Sequence, residues 1–502
     1  MPRSIYTTIC NSLNEENQLP EGFRLPQEKE YPVLSQLEPG AMDGSLRYQS
    51  KPKKMDYEHA RLLARAMYQV ENGDYKKADE LFYEWTKDFP ACFGKRHLHL
   101  YLNAHQTRLD IEEIYSTMMS ILVNTTHIEC VKVALNILET FKTHFDDAKE
   151  MIRRIGVYEE FTFSVMSVMR TWENSDDELL ALAKKVHGWG RIIAVEFLQP
   201  TTDEIKHWLM TDGSSNTLDN SYTSVACWKK SGAEDLLFGN PTKEEYKAIG
   251  SLIMLMFQSK AASRREKTDS IGNLDEILER FIEISSNYDL DVEDYEKLVY
   301  TLNAVRASAP ESKLNDLLQN ILRSDDCVKK VKKAVVNGKG FLLAYFLDIP
   351  YLDRLLECVE KDFDAYFKEC FLLLLNPDYK ERAMDIIRKH IPSVPDLASD
   401  EETHNKYSTQ YNTLLLMLEN IPFTGEEYII SGIFDISRKE RRFALQVLKK
   451  WLQLTKKPLS LNSKELEKYV KTLKKLEMDS TNIELINDIL NAYTDSPDQR
   501  KA

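Results

Sequence analysis

Hydrophobic and polar positions change their rhythm near residue 56. Residues 1–55 hold several prolines (among them Pro20, Pro26, Pro32, Pro39 and Pro52) and little periodicity, which predicts an extended arm, ordered only where it lies on a body. From Tyr57 almost to the end, apolar residues recur at helical spacing and alternating strands are missing. The pattern predicts an all-α chain. In the 56–110 region, Gly73-Asp74-Tyr75, Ala78, Phe82 and Pro90 stand at tetratricopeptide spacing over about 34 residues. Gly73 and Tyr75 mark a turn, Ala78 lets two helices approach, Phe82 fills their seam and Pro90 stops the second helix. Arg65 and Gln69 replace the Leu and Tyr of that pattern, and one copy is not an array.

A second periodicity is longer. Val186-His187-Gly188-Trp189-Gly190-Arg191-Ile192-Ile193-Ala194 aligns with Val336-Asn337-Gly338-Lys339-Gly340-Phe341-Leu342-Leu343-Ala344 without gaps, 150 residues on. The match continues to Pro200 and Pro350, then to Asp203 and Asp353. A Gly-x-Gly corner, an apolar helix and a proline turn recur as one unit, as in stacked helical hairpins that cannot bury a face alone. The prediction is a HEAT/ARM-like helical-repeat solenoid carrying an N-terminal TPR-like hairpin. Its expected divisions are the arm at 1–55, the hairpin region at 56–110, repeats at 111–262 and a second set at 263–502. The polar run Ser259–Gly272 marks the main break, Ser308–Ser312 a lesser one, and Pro392–Thr403 a long loop. Thr201-x-x-Glu204 has the form of a capping box ahead of the stripe Ile205, Trp208, Leu209.

Composition narrows the function classes. A net charge of −14 disfavours non-specific nucleic-acid or anionic-membrane binding for the chain as a whole. The seven cysteines show no CxxC spacing, the pattern of reduced thiols, and the N-terminus lacks a signal-like apolar core. No apolar run is long enough to span a bilayer, so a cytoplasmic protein without a membrane role is expected.

Motifs for cofactor chemistry are missing. Ile193 and Leu343 stand where a dinucleotide loop needs its third glycine, and both Gly-x-Gly corners follow helices, not strands. No HExxH occurs. His97, His99 and His105 do not share one face of a helix, His127-x-x-Cys130 has no second pair, and His144-x-Asp146 has no third ligand. No metal and no cofactor are expected. One polar group does stand out. Glu196 interrupts Ile192-Ile193-Ala194-Val195-Glu196-Phe197-Leu198, and an unpaired buried carboxylate costs several kcal/mol. Arg191 is the candidate partner, with His187 or Asn216 behind it. If that pair is buried, Glu196→Ala costs on the order of 1–3 kcal/mol. In the second copy Phe341 and Phe346 replace Arg191 and Glu196, so the hairpin itself does not require them. His187, Trp189, Arg191, Glu196 and Asn216 are therefore the candidate ligand or partner site. A basic stretch runs from Arg438 to Lys475, with thirteen Lys and Arg against three Glu. Its leading residues Arg438, Lys439, Arg441, Arg442, Lys449 and Lys450 form a candidate docking surface for an acidic partner or a phosphate backbone.

The run HGWGRIIAVEFLQPTTDEIKHWLMTDG, with Asn216 after it, resembles a family of bacterial helical proteins that often carry the label limonene hydroxylase. The likeness extends to SIYTTICNSLNEENQLP and GAMDG near the N-terminus. Ser214-Ser215 depart from the Cys-Arg-like pair expected before the asparagine. The resemblance implies hydroxylation of a monoterpene, chemistry that needs haem, flavin or non-haem iron to activate oxygen. The residues themselves point first to a non-enzymatic scaffold that binds a protein partner. The alternatives are a small-ligand binder or enzyme built on Trp189, Arg191 and Glu196, and a weaker one, nucleic-acid binding through the basic C-terminal helices.

Overall fold

A computed structural model describes residues 3–20, 22–30, 37–44, 55–87, 90–141, 145–218, 221–258, 271–308, 311–393, 401–435 and 437–493. Among them lie 29 α-helices and no strand. The chain divides into two compact units, Met1–Asp289 with Tyr300–Asn315, and Leu290–Val299 with Asp316–Ala502. Most of the expected break at Ser259–Gly272 falls outside the described residues, as do parts of Ser308–Ser312 and Pro392–Thr403.

Twelve helices make up most of the first unit: α1 (Ile5–Ser12), α2 (Tyr57–Glu71), α3 (Tyr75–Thr86), α4 (Ala91–His105), α5 (Ile111–Asn124), α6 (Ile128–Leu138), α7 (Asp146–Gly156), α8 (Thr162–Met169), α9 (Ser175–Ala183), α10 (Gly188–Phe197), α11 (Asp203–Thr211) and α12 (Ser221–Ser231). The arm is not simply extended. Ile5 and Ile9, four residues apart, bury one face of α1 against α5 and α7, and Ser4 caps it by accepting from Thr7 N. The α2–α3 hairpin forms as its spacing predicts. Leu63, Ala66, Met67 and Val70 meet Ala78, Leu81, Phe82 and Trp85, with Asp56 and Asp74 as caps. Gly73 takes a left-handed φ of 72° in the turn, where any Cβ would overlap the Glu113 carboxylate. Pro90 does not end α3; it is the cap residue that opens α4.

Helix bounds repeat at the 150-residue offset. α9, α10 and α11 correspond to Asp325–Val336, Phe341–Phe346 and Leu352–Lys361 in the second unit. Arg191 and its counterpart Phe341 are both buried, and Glu196 and its counterpart Phe346 are both half-buried. The cap of α11 is Thr202, which accepts from Ile205 N, so the capping position lies one residue beyond the expected Thr201.

Helix α6 is buried along its whole length and packs on α3, α4, α5 and α8. It nevertheless carries Glu129, Lys132 and Asn136 along one face. The Lys132 ammonium lies 2.5 Å from Glu160 Oε1, 3.2 Å from Asp43 Oδ2 and 3.3 Å from Glu129 Oε1, and all four side chains are at most 4% exposed. Each neighbour arrives on a different piece of chain. Glu160 joins α7 to α8 and accepts from the arm's Gly40 N at 2.7 Å, while Glu129 accepts from Ala91 N at the start of α4 at 2.7 Å. Asp43 comes from a helical turn at 41–44 of the arm, and neither of its oxygens accepts a hydrogen bond from the described residues. Trp189 lies over that turn, so close that a Cβ on Gly44 would overlap its indole.

Burial alone would strip the proton from Lys132, but the charges of Asp43, Glu129 and Glu160 outweigh it and hold the ammonium well above the ordinary lysine range. Burial, opposed by Lys132 and reinforced by Glu160 and Glu129, pushes Asp43 up to about 6. Nearby, Tyr158 Oη donates to Glu28 Oε1, and Arg24 donates to Glu28 Oε2 at 2.9 Å and to Leu37 O at 2.7 Å. Burial also raises Glu28 and Glu159.

Removing the ammonium strands three buried carboxylates. Lys132→Met should therefore lower stability by about 3–5 kcal/mol in denaturant unfolding, and a loss below about 1 kcal/mol would show the cluster to be expendable. Asp43 sets a pH dependence of definite sign. The folded protein keeps the Asp43 proton to about pH 6, the unfolded chain only to about 4. The folded state binds more protons between these limits, so this residue's contribution to stability falls as pH rises through that window and stays lost above it. Asp43→Asn should make the fall in melting temperature across that window smaller than in the parent protein. Glu28 and Glu159 titrate in both proteins and leave the difference intact.

Candidate functional site

The group predicted around α10 is brought together only in part. His187 caps α10 and is exposed, its backbone N–H donating to Glu159 Oε1 at 3.1 Å. Asn216 Nδ2 donates to Gly188 O at 2.9 Å, which ties the loop after α11 to the start of α10. Trp189 is half-buried between the arm turn and Tyr222, with ring centroids 5.6 Å apart. Arg191 does not pair with Glu196. Its Nε donates to Val186 O at 2.9 Å and its Nη1 to Asp212 O at 3.2 Å, with the guanidinium 5.2 Å over the Trp208 ring. The reason is helical geometry: five residues turn the two side chains about 140° apart. Glu196 instead approaches Lys230, where its charge opposes the deprotonation that burial favours. The Lys230 ammonium closes the end of α10 by donating to Val195 O, Glu196 O and Leu198 O at 2.9, 2.7 and 2.9 Å.

The C-terminal basic residues also have internal partners. Arg441 binds Glu477 through two nitrogens, at 2.7 and 3.0 Å, and donates to Asp435 O. Arg442 reaches Asn482 and Asp479, and Lys449 lies 2.7 Å from Asp488. Arg438 and Lys439 are exposed and Lys450 is half-buried. Acids of the following helix and turn thus neutralise half of the predicted basic surface. Arg441 in turn holds Glu477 down at about 2.

The histidines serve local structure. His99 bonds Asn136 O at 2.9 Å, His105 bonds Tyr101 O at 2.8 Å, and His127 stacks on Tyr83 with centroids 3.9 Å apart. His144 lies outside the described residues. Among the described residues, no three His, Cys, Asp or Glu side chains converge as metal ligands, and no helix is long and apolar enough to cross a membrane.

A different site is formed at the ends of α4, α6, α8 and α10. A cleft of about 460 Å³ is lined by Lys95, Glu139, Phe163, Ser167, Arg170, Thr171 and Phe197. Lys95 Nζ lies 2.5 Å from Glu139 Oε2, donates to Ser167 Oγ at 3.1 Å and sits 5.1 Å over the Phe163 ring. The Arg170 guanidinium lies 5.6 Å over the Phe197 ring. The two phenyl rings meet edge to face at 5.7 Å. Arg170 is exposed and makes no ion pair with a carboxylate of the described residues. The cleft therefore combines cationic donors, a carboxylate acceptor and aromatic walls, in a volume typical of ligand sites.

Sequence reasoning missed this group because its members are spread over 102 residues, from Lys95 to Phe197, in or at the ends of four helices with no shared motif. It also missed Glu129 and Lys132, although these interrupt the apolar run IECVKVALNIL just as Glu196 interrupts its own.

Protein-family profiles, curated proteins and solved structures were all compared with the chain, and none matches it.

The partners seen for Arg191 and Glu196 separate the two residues energetically. Arg191→Ala leaves the buried Val186 carbonyl without its donor, while Asp212 O keeps Ser215 N, and should cost about 1–3 kcal/mol. Glu196→Ala removes a half-exposed charge and should cost no more than about 1 kcal/mol, less than burial with Arg191 implies. Chemical denaturation of the two variants decides the matter, and equal losses would restore the Arg191–Glu196 pair.

Proposed function

We propose that this protein is a non-enzymatic helical-repeat scaffold that binds a protein partner through the cleft of its first unit. The observation that carries this reading is the pairing of cation with ring in the cleft. Lys95 stands over Phe163 and Arg170 over Phe197, in a concavity open to solvent. Desolvated arginine and aromatic side chains are the residues on which interface energy concentrates. Arg170 has no carboxylate partner among the described residues, whereas Arg191, Lys132, Lys230 and Arg441, and Lys95 itself through Glu139, are engaged by the protein's own carbonyls and carboxylates. The architecture supports the same reading. Consecutive helices pack on one another, and three of them recur at the 150-residue offset, as expected of stacked hairpins.

A photo-crosslinking residue at position 171, introduced into the full-length protein in its native host, tests the proposal. The expected result is a covalent adduct with a specific protein, mapped to the cleft and abolished by Arg170→Glu. Persistence of the same adducts in the Arg170→Glu protein, or crosslinking at position 171 to no protein at all, would overturn it.

A further inference from the structure

We propose that the cleft recognises the C-terminal residue of its partner, through a free α-carboxylate beside an apolar side chain; this inference rests on the scaffold reading above. Three features of the lining converge on that chemistry. The first is charge. Lys95 and Arg170 contribute two positive charges and Glu139 one negative, so the site carries a net single positive charge. That balance suits a monoanion better than a phosphate dianion or a nucleic-acid backbone. The second is geometry. The Arg170 guanidinium lies 5.6 Å over the Phe197 ring, a planar fork without a carboxylate partner among the described residues. Such a fork receives a carboxylate through two parallel N–H donors. Ser167, only 6% exposed, and the Lys95 ammonium next to it supply further polar contacts. The third is the apolar wall. Phe163, half-buried, meets the buried Phe197 at 86°, and the exposed part of that corner gives an aliphatic or aromatic side chain an apolar rest.

Glu139 adds the detail that favours a chain terminus over an isolated anion. Its Oε2 is buried against the Lys95 ammonium at 2.5 Å, but the side chain as a whole is 24% exposed. The other carboxylate oxygen can therefore accept an N–H from the ligand. A terminal residue carries a carboxylate, an N–H and a side chain on one carbon, and the three would reach Arg170, Glu139 and the phenyl corner together. Thr171 contributes no hydroxyl proton, since its Oγ1 already donates to Val168 O at 2.7 Å.

The test uses the full-length protein and fluorescein-labelled octapeptides of one sequence that end in Ala, Val, Leu, Phe, Lys or Glu, each made as free acid and as amide. Binding is read by fluorescence polarisation. The free acids ending in Val, Leu or Phe should bind tightest, and amidation should weaken them by at least about tenfold, since it removes the charge that Arg170 receives. Arg170→Gln should cause a similar loss in a protein whose melting temperature is unchanged. Glu139→Gln keeps the acceptor oxygen and should weaken binding less than Arg170→Gln. Equal affinity of acid and amide, indifference to Arg170→Gln, or no binding by any member of the panel would overturn the proposal. Displacement of the peptide by N-acetyl-leucine at equal concentration would overturn it too, by showing that the chain adds nothing and the site takes a small acid. A crosslinked partner at position 171 with no preference for a free terminus would defeat this inference and leave the scaffold reading standing.

Discussion

The first unit is organised around an ammonium group that no solvent reaches. Lys132 sits on a helix buried on all sides, and its Nζ holds Asp43, Glu129 and Glu160 within 3.3 Å. An isolated ion at this depth would lose several kcal/mol of hydration, so each carboxylate must come close and stay. That requirement fixes where the arm lies, where α4 begins and how α7 turns into α8. An apolar core alone specifies such contacts loosely, because hydrophobic attraction has no direction. A buried ammonium with three carboxylate neighbours tolerates few alternative arrangements.

The same cluster places the surface around it. Docking of the 41–44 turn brings Gly40 and Gly44 under Trp189, which sets the start of α10. Helix α10 carries Phe197 at its far end, and α8, entered through Glu160, carries Phe163 and Ser167 and is capped by Arg170. The cleft walls are thus attached to elements whose positions Lys132 helps determine. Rigid support of this kind is what a binding site requires, since a loose guanidinium loses much of its advantage to conformational entropy.

Local and regional features were legible in the sequence. The all-helical class, the α2–α3 hairpin and the 150-residue correspondence of three helices follow from spacing alone. Arg191 and Glu196 were recognised as odd residues, but their pairing was not, since two charges in one apolar run need not face each other. Five residues along a helix set them on different sides, and the nearest acceptors for Arg191 proved to be carbonyls at the ends of other segments. The basic count near the C-terminus misled for a related reason. Glu477, Asp479 and Asp488 follow closely in sequence and fold back as counter-ions. The arm misled in the opposite direction: its prolines concealed Ile5, Ile9, Glu28 and Asp43, all of which the body buries.

What separates a structural polar group from a binding one here is whether the fold supplies its partner. Lys230 is matched to three carbonyls at one helix end, Arg191 to two carbonyls and a ring, and Lys132 to three carboxylates. In each case the charge is spent inside the protein, and a ligand would have to displace a bond already made. Arg170 is different in kind. Its guanidinium lies over an aromatic face and is paired with no carboxylate of the described residues. A cation–ring contact leaves all of the in-plane N–H donors available, whereas a carboxylate would occupy two of them. Arg170 therefore keeps hydrogen-bonding capacity that the fold does not use, and that property, more than the volume of the cleft, supports the proposal that a partner docks there.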